Sequence, residues 1–435
     1  MQLIGNISIK RPISAIALAH PAPTPFVQQV GRALFEAGLL SQFATTLVNR
    51  PDAVWLNALN SLSALVKFDL AKQLSRRSVT EFPLSQVRDN PLPEVIRILV
   101  GRVDKDQRLT DVVFHWGTGA YDRWVARQVL ADAQVVYGYE YACLATFQAA
   151  KKQGIACIYD VPSPEHDFVE NLLHEELKVF PELNTPYRRY VRDRQTQRTQ
   201  HRRQEWQLAD VVIANSEFTK ASYAGAGLDV EKVRVVPYGA PPVCTEGFQG
   251  GSSEREPCRF LWAGTFSIRK GAHYLLQAWK QLQPHSSARL NVYGAMGLPA
   301  SLLKDVPDSV QVSGTVPRSE LYKLYHQADV LVFPTLCDGF GMVVTEAFAQ
   351  GLPVITTDRA GAADLVRHGD NGLIIPAGDA DALADALVWC LSHRQELKAM
   401  RQAALETAAK WQWSDYRQAL IENLLDGLKA AGYCL

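Results

Sequence analysis

Short apolar runs bounded by turn residues alternate along the chain with segments whose apolar positions recur at helical spacing. That alternation predicts an α/β protein with parallel sheets. In the first half Ala15–Ala19, Val112–His115, Gln134–Tyr137, Ala156–Tyr159 and Val211–Ala214 read as strands, with helices over Phe26–Ala37, Arg123–Leu130 and Ala142–Gln153. In the second half the strands are Arg259–Ala263, Arg289–Tyr293, Val310–Val312, Val330–Pro334, Pro353–Thr357 and Gly372–Ile375. Helices over Ala272–Gln283, Arg318–His326 and Val343–Gln350 separate them. Between Val236 and Glu256 the chain has linker composition, with Pro237, Pro241 and Pro242 followed by Gly247, Gly250 and Gly251. The expected division is therefore 1–236, 257–412 and a last amphipathic helix within 413–435, where Tyr416, Leu420, Leu424, Leu425 and Leu428 share a face.

Length agrees: 435 residues at about 150 per domain make two or three domains. Apolar residues at 47% and charged residues at 21% exclude wholesale disorder. Forty-five basic residues balance 45 acidic ones, so no global field attracts nucleic acid. The seven cysteines are scattered without a C-x-x-C pair, which argues for reduced thiols in a cytoplasmic protein rather than zinc or disulfides. Ile13–Ala19 is too short for a signal and reads as the first strand, and no apolar stretch is long enough to span a bilayer. One segment breaks the neutrality. Arg188, Arg189, Arg192, Arg194, Arg198, Arg202 and Arg203 accompany the single acid Asp193. A solvated helix face, a peripheral contact with anionic membrane at its inner face through Arg188–Arg203, or a partner-protein site are the readings of that run.

The most informative stretch runs from Ala328 to Glu346. A buried strand ends at Pro334, and the loop Asp338-Gly339-Phe340-Gly341 leads into a helix beginning near Met342. Helix-start N–H groups and the helix dipole form an anion site, and Gly339 and Gly341 let the main chain approach a diphosphate. Asp338 on the loop and Glu346 inside the helix can point into one crevice, one towards a sugar and one towards a ribose. An ordinary strand–loop–helix with a solvent-facing Asp and a capping Glu is the plain alternative.

This passage resembles the E-x7-E signature of family 4 of the retaining glycosyltransferases (glycosyl transferases group 1), in a D-x7-E form. Ala263-Gly264-Thr265-Phe266-Ser267-Ile268-Arg269-Lys270-Gly271, followed by Leu275 to Trp279, is similar to the family's loop whose basic side chains hold the donor diphosphate. Ser313-Gly314-Thr315-Val316-Pro317 is similar to the loop that reads the nucleotide base. Asp210–Ser216, Val236–Gly239, Gly351–Thr357 and Asn371–Pro376 match the family as well, so the resemblance is continuous from about Glu205 to Leu387. It implies the GT-B fold: two Rossmann-like domains facing a cleft, with the C-terminal helix crossing back. It implies glycosyl transfer from a nucleotide-sugar, UDP- or GDP-linked, to the hydroxyl of a carbohydrate or lipid-linked acceptor. No cofactor and no metal are expected. Lys270 and Arg269 would hold the diphosphate with the backbone of Gly339, Phe340, Gly341 and Met342. Asp338 would hold donor-sugar hydroxyls, Glu346 the ribose, and Thr315 and Val316 the base.

Two departures stand out: Thr265 where many members place arginine, and Asp338 in place of Glu. For the first half the family implies a catalytic-region histidine after a central strand, and His166 in Tyr159–His166 fits that place. His20 follows the first strand among three prolines, Tyr139 and Glu140 are candidate acceptor contacts, and His115 reads as core or rim. Asp104-Lys105-Asp106 reads as a polar linker before a strand, and Asp379-Ala380-Asp381 as a helix N-terminus rather than a metal pair. A nucleotide-sugar epimerase of the same fold and a noncatalytic nucleotide-sugar-binding protein are the rival readings.

Overall fold

The computed structural model describes residues 13–50, 77–244, 256–282, 287–303 and 306–434. Met1–Pro12 and residues 245–255 of the expected linker lie outside them. The first sheet contains β1 (Ile16–Ala19), β2 (Leu40–Thr45), β3 (Val87–Asp89), β4 (Val135–Tyr139), β5 (Ala156–Val161), β6 (Val211–Ala214) and β7 (Val233–Val235). All pair in parallel, in the order β3-β2-β1-β4-β5-β6-β7. The second contains β8 (Cys258–Ala263), β9 (Ala288–Tyr293), β10 (Val310–Gly314), β11 (Val330–Phe333), β12 (Val354–Thr357) and β13 (Gly372–Ile375). It too is parallel, in the order β10-β9-β8-β11-β12-β13. Every residue of β1, β4, β5, β6, β11 and β12 is buried, because helices cover both faces of such sheets. That is why these strands read as continuous apolar runs.

One expected strand is absent. Val112–His115 belongs to the long helix Arg108–Gln128. Its apolar run resembles a buried strand, yet Val112 and Phe114 are exposed, so the run marks a helix surface. The Asp104–Asp106 stretch accordingly joins two helices, Leu92–Val103 and Arg108–Gln128, instead of preceding a strand. Asp379 does cap a helix, its Oδ1 accepting the N–H groups of Asp381 and Ala382 at 3.0 and 2.9 Å.

Two chain segments cross between the halves side by side. The Ala240 N–H donates to the Trp411 carbonyl (2.9 Å), and the Trp413 N–H donates to the Ala240 carbonyl (3.2 Å). The helix Trp413–Ala430 then lies against the first half. Arg417 reaches Glu36 (2.9 Å) and Gln29 (2.8 Å), and Val211 packs where a side chain at Gly427 would stand. Tyr416, Leu420, Leu424 and Leu428 are fully buried there, as their spacing predicts. Among the described residues no helix is long and apolar enough to cross a membrane, and no three His, Cys, Asp or Glu residues gather to hold a metal.

Candidate active site

Strand order reverses between β8 and β11 in the second sheet, and ligands of open α/β sheets bind at the carboxyl ends beside such a reversal. The loop after β8 carries Arg269 and Lys270; the loop after β11 carries Asp338. Main-chain bonds tie the two loops, with the Leu336 N–H donating to the Arg269 carbonyl at 2.9 Å. Lys270 Nζ lies 3.4 Å and an Arg269 guanidinium nitrogen 3.6 Å from Asp338 Oδ2. Although neighbours in sequence, both cations thus converge on one carboxylate. Burial pushes the Asp338 carboxyl up, but Lys270 and then Arg269 outweigh it and hold it below the ordinary value. Lys270 also faces the Phe333 ring, 5.0 Å from its centroid.

Gly341 closes the loop at φ +89°, a left-handed conformation, and a Cβ there would press on the Phe333 ring. From it the helix Met342–Ala349 starts. Met342 is half-buried in the first turn. Glu346, one turn further, is buried and doubly held: Arg318 donates to one carboxylate oxygen and Tyr325 Oη to the other at 3.1 Å. Sequence reading missed both partners. Arg318 follows Thr315-Val316-Pro317 directly, so this ion pair sets the expected base-reading loop beside Glu346. Thr315 is exposed and Val316 half-buried.

Gly339 has a different neighbour from the one its motif suggests. A Cβ there would stand 2.3 Å from the Pro162 carbonyl oxygen of the first half, and the Gly339 carbonyl accepts Ser216 Oγ at 2.5 Å. Its lack of a side chain therefore lets the halves touch. The Phe340 N–H turns back to Asp338 Oδ1 (3.3 Å), and its buried ring meets Tyr238 edge-on at 5.3 Å.

His166 opens the helix His166–Val179 rather than lying in a loop. Its Nδ1 is 2.8 Å from Thr199 Oγ1, on the arginine-bearing helix Gln195–Leu208, so its hydrogen bond is not to the glycine loop. Burial first, then Arg202 and Arg198, lower it to about 3, and it is neutral near pH 7. His20 is lowered by burial to about 4 and packs edge-on against Tyr139 at 4.7 Å. Tyr139 is buried, and Glu140 accepts Arg202 Nε at 2.5 Å, so neither presents an open polar group. His115 bonds Tyr141 Oη at 2.7 Å. Four of the seven arginines are engaged with carboxylates: Arg188 with Glu170, Arg198 with Asp111, Arg202 with Glu140, and Arg203 with Glu165 and Asp167.

Residues 257–393, the segment built around the second sheet, match the family model of glycosyl transferases group 1. That segment belongs to the group 1 glycosyl transferases. The chain is 30% identical over 239 residues to a D-inositol 3-phosphate glycosyltransferase of Corynebacterium urealyticum, covering 49% of this chain and 56% of that protein. It is 28% identical over 246 residues to a GDP-mannose-dependent alpha-(1-6)-phosphatidylinositol monomannoside mannosyltransferase of Mycobacterium tuberculosis, covering 51% and 63%. The chain thus spans less than two thirds of the length of these curated relatives. In structure it is similar to Anabaena HepE in complex with UDP-glucose, with TM-score 0.56 and 17% identity over 95% of this chain and 99% of that one. The fold is GT-B, two Rossmann-like sheets with a returning C-terminal helix.

Proposed function

We propose that this protein is a retaining glycosyltransferase that moves a sugar from a UDP- or GDP-linked donor to the hydroxyl of a carbohydrate or lipid-linked acceptor. The observation that carries the reading is the convergence of Lys270 and Arg269 on Asp338 at the strand-order reversal of a group 1 glycosyl transferase segment. Departure of a nucleoside diphosphate develops negative charge on phosphate oxygens. The two cations neutralise that charge without a metal, aided by the backbone from Gly339 to Met342. An arriving diphosphate competes for both cations and frees Asp338 to hold donor-sugar hydroxyls. Glu346, oriented by Arg318 and Tyr325, accepts from the ribose, and Thr315 and Val316 flank the base. His166 stays neutral on the acceptor side. The curated relatives are named for inositol phosphate and phosphatidylinositol mannoside chemistry, and the solved neighbour holds UDP-glucose, which supports a phosphate-bearing acceptor and a nucleotide-sugar donor.

Thermal stabilisation by a panel of nucleotide-sugars identifies the donor. With it in hand, Lys270→Ala and Glu346→Ala each lower transfer by about a hundredfold or more while the melting transition persists. Activity is expected to survive EDTA. Unchanged turnover in both variants overturns the reading, and product analysis separates transfer from epimerisation.

A further inference from the structure

Half of the large apolar side chains exposed among the described residues fall between Leu92 and Trp116. This short stretch spans the helix Leu92–Val103 and the first turns of the next helix, Arg108–Gln128. The two pack as an antiparallel hairpin, with Gly101 beside Thr110 near the turn and Gly117 beside Pro93 at the far end. On the first helix Leu92, Leu99 and Val103 are seven and eleven residues apart, within about 20° of one line along the surface. Leu109, Val112 and Trp116 form a second stripe, and exposure reaches 77% at Val103 beside the turn. A contiguous apolar helix surface of this kind marks a site of contact with an apolar partner.

The charges around the tip say which partner. Lys105 and Arg108 sit at the turn, and Arg108 faces Arg189 and Arg192 across a cavity of about 550 Å³. Among the described residues no ion pair engages these four cations, unlike Arg188, Arg198, Arg202 and Arg203. Asp106 and Asp193 are the acids beside them, while Asp104 is committed to the Thr110 N–H at 2.6 Å. An apolar tip ringed by unpaired lysine and arginine matches the interface of an anionic bilayer. The same turn faces Met296–Pro299 of the second half across a cavity of about 730 Å³ between the halves. A surface seated on the tip therefore lies at the mouth of the cleft.

We propose that the hairpin tip, Val103 to Val112 with Arg189 and Arg192, docks this protein on an anionic lipid bilayer. Docking there presents a lipid-linked acceptor to the cleft, which deepens the proposed function. The test uses no transfer reaction, so the two readings fail separately. The full chain is sedimented with phosphatidylcholine vesicles containing or lacking phosphatidylglycerol, at low and high salt. Partition is expected only with phosphatidylglycerol and is expected to weaken with salt. The exposed double variants Val103→Asp/Val112→Asp and Arg189→Glu/Arg192→Glu are each expected to weaken it at least tenfold, with wild-type melting and nucleotide stabilisation. Absence of binding by the wild-type chain, or unchanged partition in both variants, overturns the proposal. So does light scattering that shows a dimer abolished by Val103→Asp/Val112→Asp without vesicle binding, because a second copy then covers the tip.

Discussion

Asp160, at the end of β5, is 2% exposed and accepts the Tyr137 hydroxyl at 2.5 Å. Burial dominates its environment and pushes the carboxyl up to about 7, against an ordinary value of 3.8. The folded protein then keeps a proton on Asp160 that the unfolded chain releases from about pH 4 upward. Its contribution to stability is complete below that and is lost as pH rises through about 7. His20 and His166 act in the opposite direction. Their folded values of about 4 and 3 lie below the ordinary 6.5, so their contribution is lost as pH falls below 6.5. The total profile mixes these slopes, but Asp160→Asn removes one of them. The difference in urea stability between wild type and Asp160→Asn is expected to shift against wild type by on the order of 2–4 kcal/mol between pH 4 and pH 8, at about 1.4 kcal/mol per tenfold change in proton affinity. A pH-independent difference sinks this account. Asp160 carries no motif and sits inside an apolar strand, so only its three-dimensional company of tyrosines marks it out.

At the scale of elements, the parts legible in the sequence are those whose surroundings are uniform. β1, β4, β5, β6, β11 and β12 are buried on both faces, and their apolar runs say so directly. Helices such as Ala272–Leu282 have one dry face and show helical spacing. β2, β3 and β7 escaped notice because their composition is mixed: Ser41 and Gln42 interrupt β2, and β3 and β7 have three residues each. Val112–His115 was misleading because exposed apolar residues on a helix imitate a buried strand. In the candidate site, side-chain pairings are not legible in the sequence. The D-x7-E spacing singles out Asp338 and Glu346 as candidates, but nothing local ties Arg318 to Glu346 or Pro162 to Gly339. The last helix was readable in full. Leu424 is completely buried within it, in one core cluster with residues of β1 and β6 from the first half of the chain. Leu424→Ala is expected to cost about 2–4 kcal/mol, seen as a lower urea midpoint for unfolding of the first half. A change under about 0.5 kcal/mol means the helix does not share that core.

The halves meet where the glycine loop touches the turn after β5. Ser216 and Thr219 both donate to the Gly339 carbonyl, at 2.5 and 3.2 Å, and Asn215 Nδ2 donates to the Pro162 carbonyl at 2.9 Å. Gly361 stands behind this contact, where a Cβ would lie 2.0 Å from the Gly339 oxygen. Three main-chain segments from both halves thus meet with no room for a methyl group. Gly339→Ala places that methyl 2.3 Å from the Pro162 oxygen, a backbone atom with no rotamer to escape into. The loop is held by Arg269 and Lys270 on one side and by its own helix on the other, so relief comes from moving the halves apart. Lys270, Arg269, Arg318 and Glu346 all belong to the second half and keep their geometry. Donor affinity in Gly339→Ala is therefore expected to stay within about threefold of wild type, while transfer falls about ten- to a hundredfold because donor and acceptor sides no longer close together. X-ray scattering is expected to show a larger radius of gyration for the variant. Donor affinity and transfer falling in equal measure, with unchanged scattering, mean that the added methyl acts on the donor loop alone and leaves the contact between the halves intact.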